Sequence, residues 1–355
     1  MEEQSSIPVS LLPEGYVRVG SFTRFARLVR ELGGRAEDIL APFKLDEGLL
    51  RNRDNALPAA LRGELMAAAA RQTGCEHLGL LLGKRSEAAD LGLPGDLAMA
   101  AATVGEALDK LQRYFHFHSR NTMVSVGRDG DSASLGYLVV DGSFPGFQEL
   151  QDGSLASGLN LMRQLIAPGW TPEAVSLIRR TPRQPEIYDR FFGAPCRFNA
   201  ERTALIFPAA TLDLPVAAHG GAVATGGSLP QAGDALLSDG DWLNLVRRTT
   251  QHMLMNDNCS QRTVAQALGV SARTMNRNIE RSGSSYREVV DFCRYKASRT
   301  LIKETDMSLC NVARVLGYAD HSSFCRAFKR WSGMSPSEWR QRKSGKGAEF
   351  SHLDP

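Results

Sequence analysis

The 355-residue chain lacks the marks of several protein classes. Its six cysteines (Cys75, Cys196, Cys259, Cys293, Cys310 and Cys325) are scattered, with no C-x-x-C pair and no histidine at ligand spacing. That argues against a disulfide framework or a zinc site and fits a reducing compartment. Buried thiols, packed as small hydrophobes, are the expectation for them. Apolar runs are short: stretches such as His77–Gly83, "HLGLLLG", fall far below the ~20 residues that cross a bilayer. The opening Met-Glu-Glu has no basic segment leading into an apolar one, so no export signal is expected. No G-x-G-x-x-G, G-x-x-x-x-G-K-[ST] or G-x-S-x-G motif occurs, so neither a nucleotide loop nor a nucleophile elbow is expected. These absences lead to the expectation of a cytoplasmic protein that is not an enzyme, with no cofactor, no metal and no membrane partner.

What is present is an uneven distribution of charge. The overall net charge is only +3, but residues 241–346 carry 19 Lys and Arg against 9 Asp and Glu. Residues 1–240 carry 23 against 28. A basic module attached to a mildly acidic body is the electrostatic footprint of a polyanion binder. The two parts meet at "PVAAHGGAVATGGSLPQAGDALLSDGD", a stretch rich in Gly, Ala and Ser that reads as a linker. The division predicted is a body over 1–215, a linker over 216–240, a basic domain over 241–343 and a flexible tail over 344–355.

Hydrophobic periodicity makes the body an α+β domain. Helical stripes run through "FTRFARLVRELGG", "ALRGELMAAAARQTG", "TVGEALDKLQRYFHFH" and "GSLASGLNLMRQLIA". Thr103 is the expected N-cap of the third, with Glu106 completing a capping box. "MVSVGRDGDSASLGYLVV" alternates, breaks at Asp129-Gly130 and alternates again, which predicts an antiparallel hairpin. "AVSLIRRT" and "CRFNAERTALIFP" read as further strands.

The basic module contains a repeat offset by 48 to 50 residues. Val264–Val289 and Val312–Trp339 each read as helix, glycine turn (Gly269, Gly317) and helix, so an all-α domain of two helix-turn-helix motifs is predicted, at about 260–282 and 309–332. Ser271 is the N-cap of one second helix, and Asp320 or His321 of the other. At 100° per residue, Phe324, Ala327, Phe328 and Trp331 share one arc, as do Met275 and Ile279 in the first copy. The opposite arcs carry Arg273, Asn276 and Arg277, then Ser322, Cys325, Arg326 and Lys329, with His321 at the free N-terminal end. A recognition helix needs this division, an oily side to anchor it and a polar side to enter the major groove of double-stranded DNA. Arg can fork onto guanine and Asn onto adenine. Between the copies, Ser285–Glu304 reads as a long helix that would hold two readers at a fixed separation, ~34 Å if both meet one face of DNA.

Residues ~258–341 resemble the DNA-binding domain of the AraC/XylS family of transcription regulators, through "ALGVSARTMNRNI" and "VARVLGYADHSSFCRAFKRWSGMSPSEWR". The resemblance implies base contacts from Arg273, Asn276 and Arg277 in one reader and from His321, Ser322, Cys325 and Arg326 in the other. Met275 departs from the leucine usual there. Ser335 and Pro336 open a closing helix. The body resembles, through "ILAPFKLDEGLL", "HLGLLLGKR", "EALDKLQRYFHFHS" and "FFGAPCRFNAERTALIFPAATLDLPV", the arabinose-binding-type effector domain of the ornithine-utilisation-regulator branch. That implies a small-molecule effector and a homodimer; contact with RNA polymerase and an activator's role are further expectations, and the sequence leaves activation and repression open.

Within the body, "FHFHS" offers His116 and His118 as effector-binding candidates, with Arg120 placed to pair an acidic effector. A metal would need a third ligand that the spacing does not supply, and simple packing is the alternative. Enzymatic relatives would need a nucleophile elbow or a clustered cysteine site, and neither occurs. A constitutive DNA binder whose body only dimerises is the other reading.

Overall fold

The computed structural model describes residues 12–13, 15–139, 144–217, 239–254, 259–268 and 271–341. All but four residues of the expected linker (216, 217, 239 and 240), the whole expected tail and the turn glycine Gly269 lie outside them.

The body opens with β1 (Tyr16–Arg18), α1 (Phe25–Glu31), α2 (Ala36–Leu40), α3 (Glu47–Arg51), β2 (Ala56–Pro58), α4 (Ala59–Thr73) and α5 (Leu78–Gly83), with β1 and β2 paired antiparallel. The helices close around Phe22, Phe25, Leu28, Leu50 and Leu65, all essentially inaccessible. A second unit follows: α6 (Leu93–Met99), α7 (Val104–Tyr114), β3 (Thr122–Asp129), β4 (Ser132–Val139), α8 (Phe147–Leu165), β5 (Ala174–Ser176), α9 (Glu186–Phe192), β6 (Cys196–Arg197) and β7 (Thr203–Pro208). Its five strands lie in the order β3-β4-β7-β5-β6, antiparallel except for the β5–β6 pair. The hairpin turns where its sequence says, with Asp129 opposite Ser132 and Gly130 at φ +56°. Thr103 caps α7 by accepting from the Glu106 amide at 3.2 Å. The Glu106 carboxylate accepts from Ala102, not from Thr103 itself, so the expected capping box is shifted by one residue.

Two helices of the body touch along glycine. A Cβ on Gly79 of α5 would stand 2.0 Å from the Glu149 carbonyl oxygen of α8, and one on Gly83 would stand 2.3 Å from that of Gly153. Any larger residue would push the helices apart.

The C-terminal module consists of α10 (Asp239–Leu254), α11 (Gln261–Ala267), α12 (Ala272–Arg281), α13 (Tyr286–Glu304), α14 (Leu309–Val315), α15 (His321–Ser332) and α16 (Pro336–Gln341). Its core gathers Val264, Met275, Ile279, Leu301, Val312, Phe324 and Phe328. The side-chain oxygens of Ser271, Ser285, Ser308 and Asp320 cap α12, α13, α14 and α15, and Ser335 with Glu338 forms a capping box at α16. Each cap satisfies amides that the first helical turn leaves open. The cysteine expectation needs correction. Cys75 and Cys293 are buried, but Cys196, Cys259 and Cys325 are only partly so, and Cys310 is exposed. The reason is the face: α14 buries Val312, Ala313 and Val315, and Cys310 lies one turn before exposed Arg314 on the outer side. Among the described residues, no helix is long and apolar enough to cross a membrane.

Candidate DNA interface and candidate effector cavity

The recognition helices divide as their sequence requires. In α15, Phe324, Phe328 and Trp331 are buried, and Tyr295 of α13 meets Phe328 and Trp331 with ring centroids 5.9 Å apart in each case. Further contacts tie this unit to α13. Arg294 donates to the Leu316 carbonyl at 3.1 Å and lies 4.8 Å over the Tyr318 ring, while Arg330 pairs with Asp291 at 2.9 Å. Gly317, at φ +74°, makes the turn between α14 and α15, a conformation that costs glycine little. In α12, Met275 and Ile279 are fully buried.

The opposite faces stay accessible. Arg273 and Arg277 are exposed on α12, and His321, Ser322, Arg326 and Lys329 on α15. Asn276 and Cys325 are half-buried. Asn276 accepts a hydrogen bond from the Gln261 side chain, which orients its amide. Cys325 Sγ lies 3.4 Å from His321 Nε2, and burial pushes its thiol up, so it stays protonated. Arg326 donates to Ser323 Oγ at 3.0 Å. Arg262, Arg281, Arg287 and Arg330 add exposed positive charge around these faces, of the kind that engages phosphate. The strut α13, 19 residues long, spans about 28 Å at 1.5 Å per residue.

The body encloses a cavity of about 100 Å³ between α4, α5, α8 and the β3–β4 face. Its wall is mostly apolar, including Met66, Leu111, Phe115, Leu135 and Leu161, with Arg62, Asp90, His118, Asn121 and Glu149 among its polar members. Of the three residues expected to bind an effector, only His118 lines it. His118 is 7% exposed, and burial, with help from the Arg62 and Arg18 charges, pulls its imidazole down to about 3, so it is neutral. His116 packs against Phe117 and lies 3.0 Å from the Arg113 carbonyl, away from the cavity wall. Arg120 is buried and donates to the Leu12 carbonyl at 3.1 Å, also outside the wall.

Sequence reasoning missed Arg62. Its signal was present: Arg62, Met66 and Ala69 recur at i, i+4 and i+7, which sets a cation on the apolar stripe of α4. It also missed a buried ion pair. Asp152 of α8, fully buried, pairs with Arg179 just after β5 and accepts from the Tyr188 hydroxyl at 2.7 Å. Burial pushes the Asp152 carboxyl up to about 6, against the pull of Arg179 and Tyr188.

Next to Arg179 the body meets the C-terminal module. Ile178, 2% exposed, is buried within the hydrophobic core of that module. Arg180 pairs with Asp306 at 2.8 Å, the Asn199 side chain accepts from the Asp306 amide at 3.0 Å, and Glu201 pairs with Arg314. Asn199 sits at φ +54°, and its own amide donates to the Arg179 carbonyl at 2.8 Å.

Comparison with known proteins adds two family matches. Residues 33–216 match the arabinose-binding domain of AraC transcription regulators, N-terminal, and residues 264–342 match a helix-turn-helix domain. Among similar proteins, the ornithine utilization regulator of Pseudomonas aeruginosa is 23% identical over 346 residues, 96% of this chain and 99% of that one. The transcriptional regulator VirS of Mycobacterium tuberculosis is 22% identical over 326 residues, 91% and 96% of the two chains. The crystal structure of the transcriptional regulator CdpR from Pseudomonas aeruginosa aligns with a TM-score of 0.40 at 25% identity, over 86% of this chain and 96% of that one.

Proposed function

The chain belongs to the AraC family of DNA-binding transcription regulators, and from that premise we propose that it reads a specific operator in the cytoplasm under control of a small molecule held by the body. Arg273, Asn276 and Arg277 on α12, with His321, Ser322, Cys325 and Arg326 on α15, contact base edges, and Lys329 contacts phosphate. Pairing of two protomers through the body and contact with RNA polymerase belong to the same reading.

The observation that carries the small-molecule part is a continuous set of contacts from cavity to DNA module. Helix α8 lines the cavity with Glu149, Gly153 and Ser154. Its Asp152, facing the other way, grips Arg179. The residues on either side of Arg179, Ile178 and Arg180, bear on the DNA module. A molecule that shifts α8 therefore acts on the chain segment that touches the α13–α14 turn. Differential contact of this kind is what a ligand needs to shift an equilibrium between two states.

An operator selected from randomised duplexes tests both halves. Arg326→Ala is expected to relax the preference at one position and to cost about 1–3 kcal/mol, whereas loss of a phosphate contact weakens all sequences alike. An unchanged preference would remove Arg326 from the readers. Titration of the wild type–operator complex with a metabolite panel is expected to find at least one compound that changes affinity. A binder that responds to none is constitutive, and the body then serves only to dimerise.

A further inference from the structure

Resting on the effector reading above, we propose that the cavity of the body takes a small monocarboxylate with an apolar body, its carboxylate seated on the free edge of Arg62. Arg62 enters from α4. Its Nη1 donates to the Arg18 carbonyl at 3.1 Å, and its guanidinium lies 4.8 Å over the Phe22 ring. Those contacts fix the plane of the group and use one of its corners. The Nε atom is buried without a hydrogen-bond partner. The edge formed by Nε and Nη2 is the fork that binds a carboxylate through two parallel hydrogen bonds.

Among the described residues no carboxylate forms an ion pair with Arg62, and only the Asp90 carboxylate acts on it at longer range. The acid of the same wall, Asp90, is already committed to Arg24 at 2.7 Å and to the Glu87 amide at 2.9 Å, and Glu87 itself pairs with Arg24 at 3.5 Å. Glu149 belongs to the α8 wall. A cation held this deep with no ion pair among the described residues, only the longer-range pull of Asp90, lowers stability relative to an apolar residue of the same length. Such a cost is characteristic of a site held ready for a ligand.

The surroundings narrow the class. His118 is neutral, with an unpartnered buried Nδ1, and Asn121 is 7% exposed. A single cation among the described residues of the wall, with the carboxylates of Asp90 and Glu149 on the same lining, suits a singly charged group better than a phosphate, which would ask for more cations. The rest of the wall is mostly apolar, Met66, Leu111, Phe115, Leu135 and Leu161 among it, with Ser86, Ser154 and Ser157 as scattered hydroxyls, so the body of the occupant is largely apolar. The volume, about 100 Å³, corresponds to roughly seven to ten water positions at ~10–15 Å³ each, so the occupant is an acid of short chain or single ring.

The test uses the full chain and thermal melting. The probes are straight-chain carboxylates from butanoate to octanoate and phenylacetate, each matched with the amide and the amine of the same skeleton. Carboxylates are expected to raise the Tm and to bind at least ten-fold more tightly than their amides. In Arg62→Met that preference disappears, and without ligand the variant melts no lower than wild type. Should Arg62→Met fail to fold, Arg62→Gln, which keeps a polar side chain without the charge, provides the same comparison of carboxylate with amide. Amides or amines that bind as well as carboxylates would overturn the assignment of class and leave the effector cavity standing. No response from any probe would overturn both. A marked fall in Tm for ligand-free Arg62→Met would overturn the proposal by making Arg62 a structural residue.

Discussion

His118 shows what burial does to one residue. An unfolded histidine takes up a proton below about pH 6.5, whereas folded His118 does so only near 3, because burial first, and the Arg62 and Arg18 charges second, disfavour the imidazolium. Between those values the unfolded chain binds more protons than the folded one. Stability therefore rises with pH in this window and falls on acidification, by up to about 1.4 kcal/mol per pH unit. Urea unfolding at pH 7.5 and pH 5 should show wild type losing up to about 2 kcal/mol more than His118→Gln. Equal losses would mean that the imidazole reaches solvent in the folded state. At this scale the sequence was only partly legible. His116, His118 and Arg120 are neighbours in the chain, but the turn of backbone at Phe115–Phe117 and the strand that follows send them to different surroundings. Arg62 is one of 42 Lys and Arg; its place on the apolar stripe of α4 marks it as inward-facing, but only the fold shows that it reaches a cavity shared with β3 and β4.

Among the elements, α5 and α8 depend on what is absent from their side chains. Gly79 and Gly83 let the two backbones approach until a methyl group on Gly79 would overlap the Glu149 carbonyl. Gly79→Ala must drive the helices apart or distort them, a change of the overpacking kind that costs about 1–3 kcal/mol. The expected result is a lower urea midpoint. An unchanged midpoint would mean that the close approach does not exist. Most elements were legible because their causes are local: a 3.6-residue stripe with a serine, threonine or aspartate cap, or an alternating run closed by Asp-Gly. The parallel β5–β6 pairing and the cavity were not. Both arise from segments far apart in sequence, such as Arg62, Leu135 and Leu161, which no window of sequence brings together. The recognition faces were legible for the opposite reason, since a helix places i, i+3 and i+4 together whatever surrounds it.

At the scale of the whole molecule, the body and the C-terminal module meet through Ile178, Arg180, Asn199 and Glu201. The Arg180–Asp306 pair is half-exposed and worth little by itself. Burial of Ile178 in the neighbouring module is worth more, about 1.5–3 kcal/mol for a fully buried side chain of this size. Asn199 is the joint between them. Its left-handed backbone, tolerated by asparagine, holds the Arg179 carbonyl, while its side chain holds the Asp306 amide. Asn199→Gly keeps the backbone conformation and deletes only the side-chain bridge, and combining it with Arg180→Ala removes both polar contacts to Asp306. The double variant is expected to melt within a few degrees of wild type, to keep its operator preference and to bind a cavity ligand as before. What should shrink is the coupling. On the proposed effector reading, the factor by which ligand changes wild-type DNA affinity must equal the factor by which DNA changes ligand affinity. Both factors, measured by titration in each direction, are expected to fall together towards one. If they stay at the wild-type value while both ligands still bind, the signal does not travel through Asn199 and Arg180, and the buried contact of Ile178 would have to carry it alone.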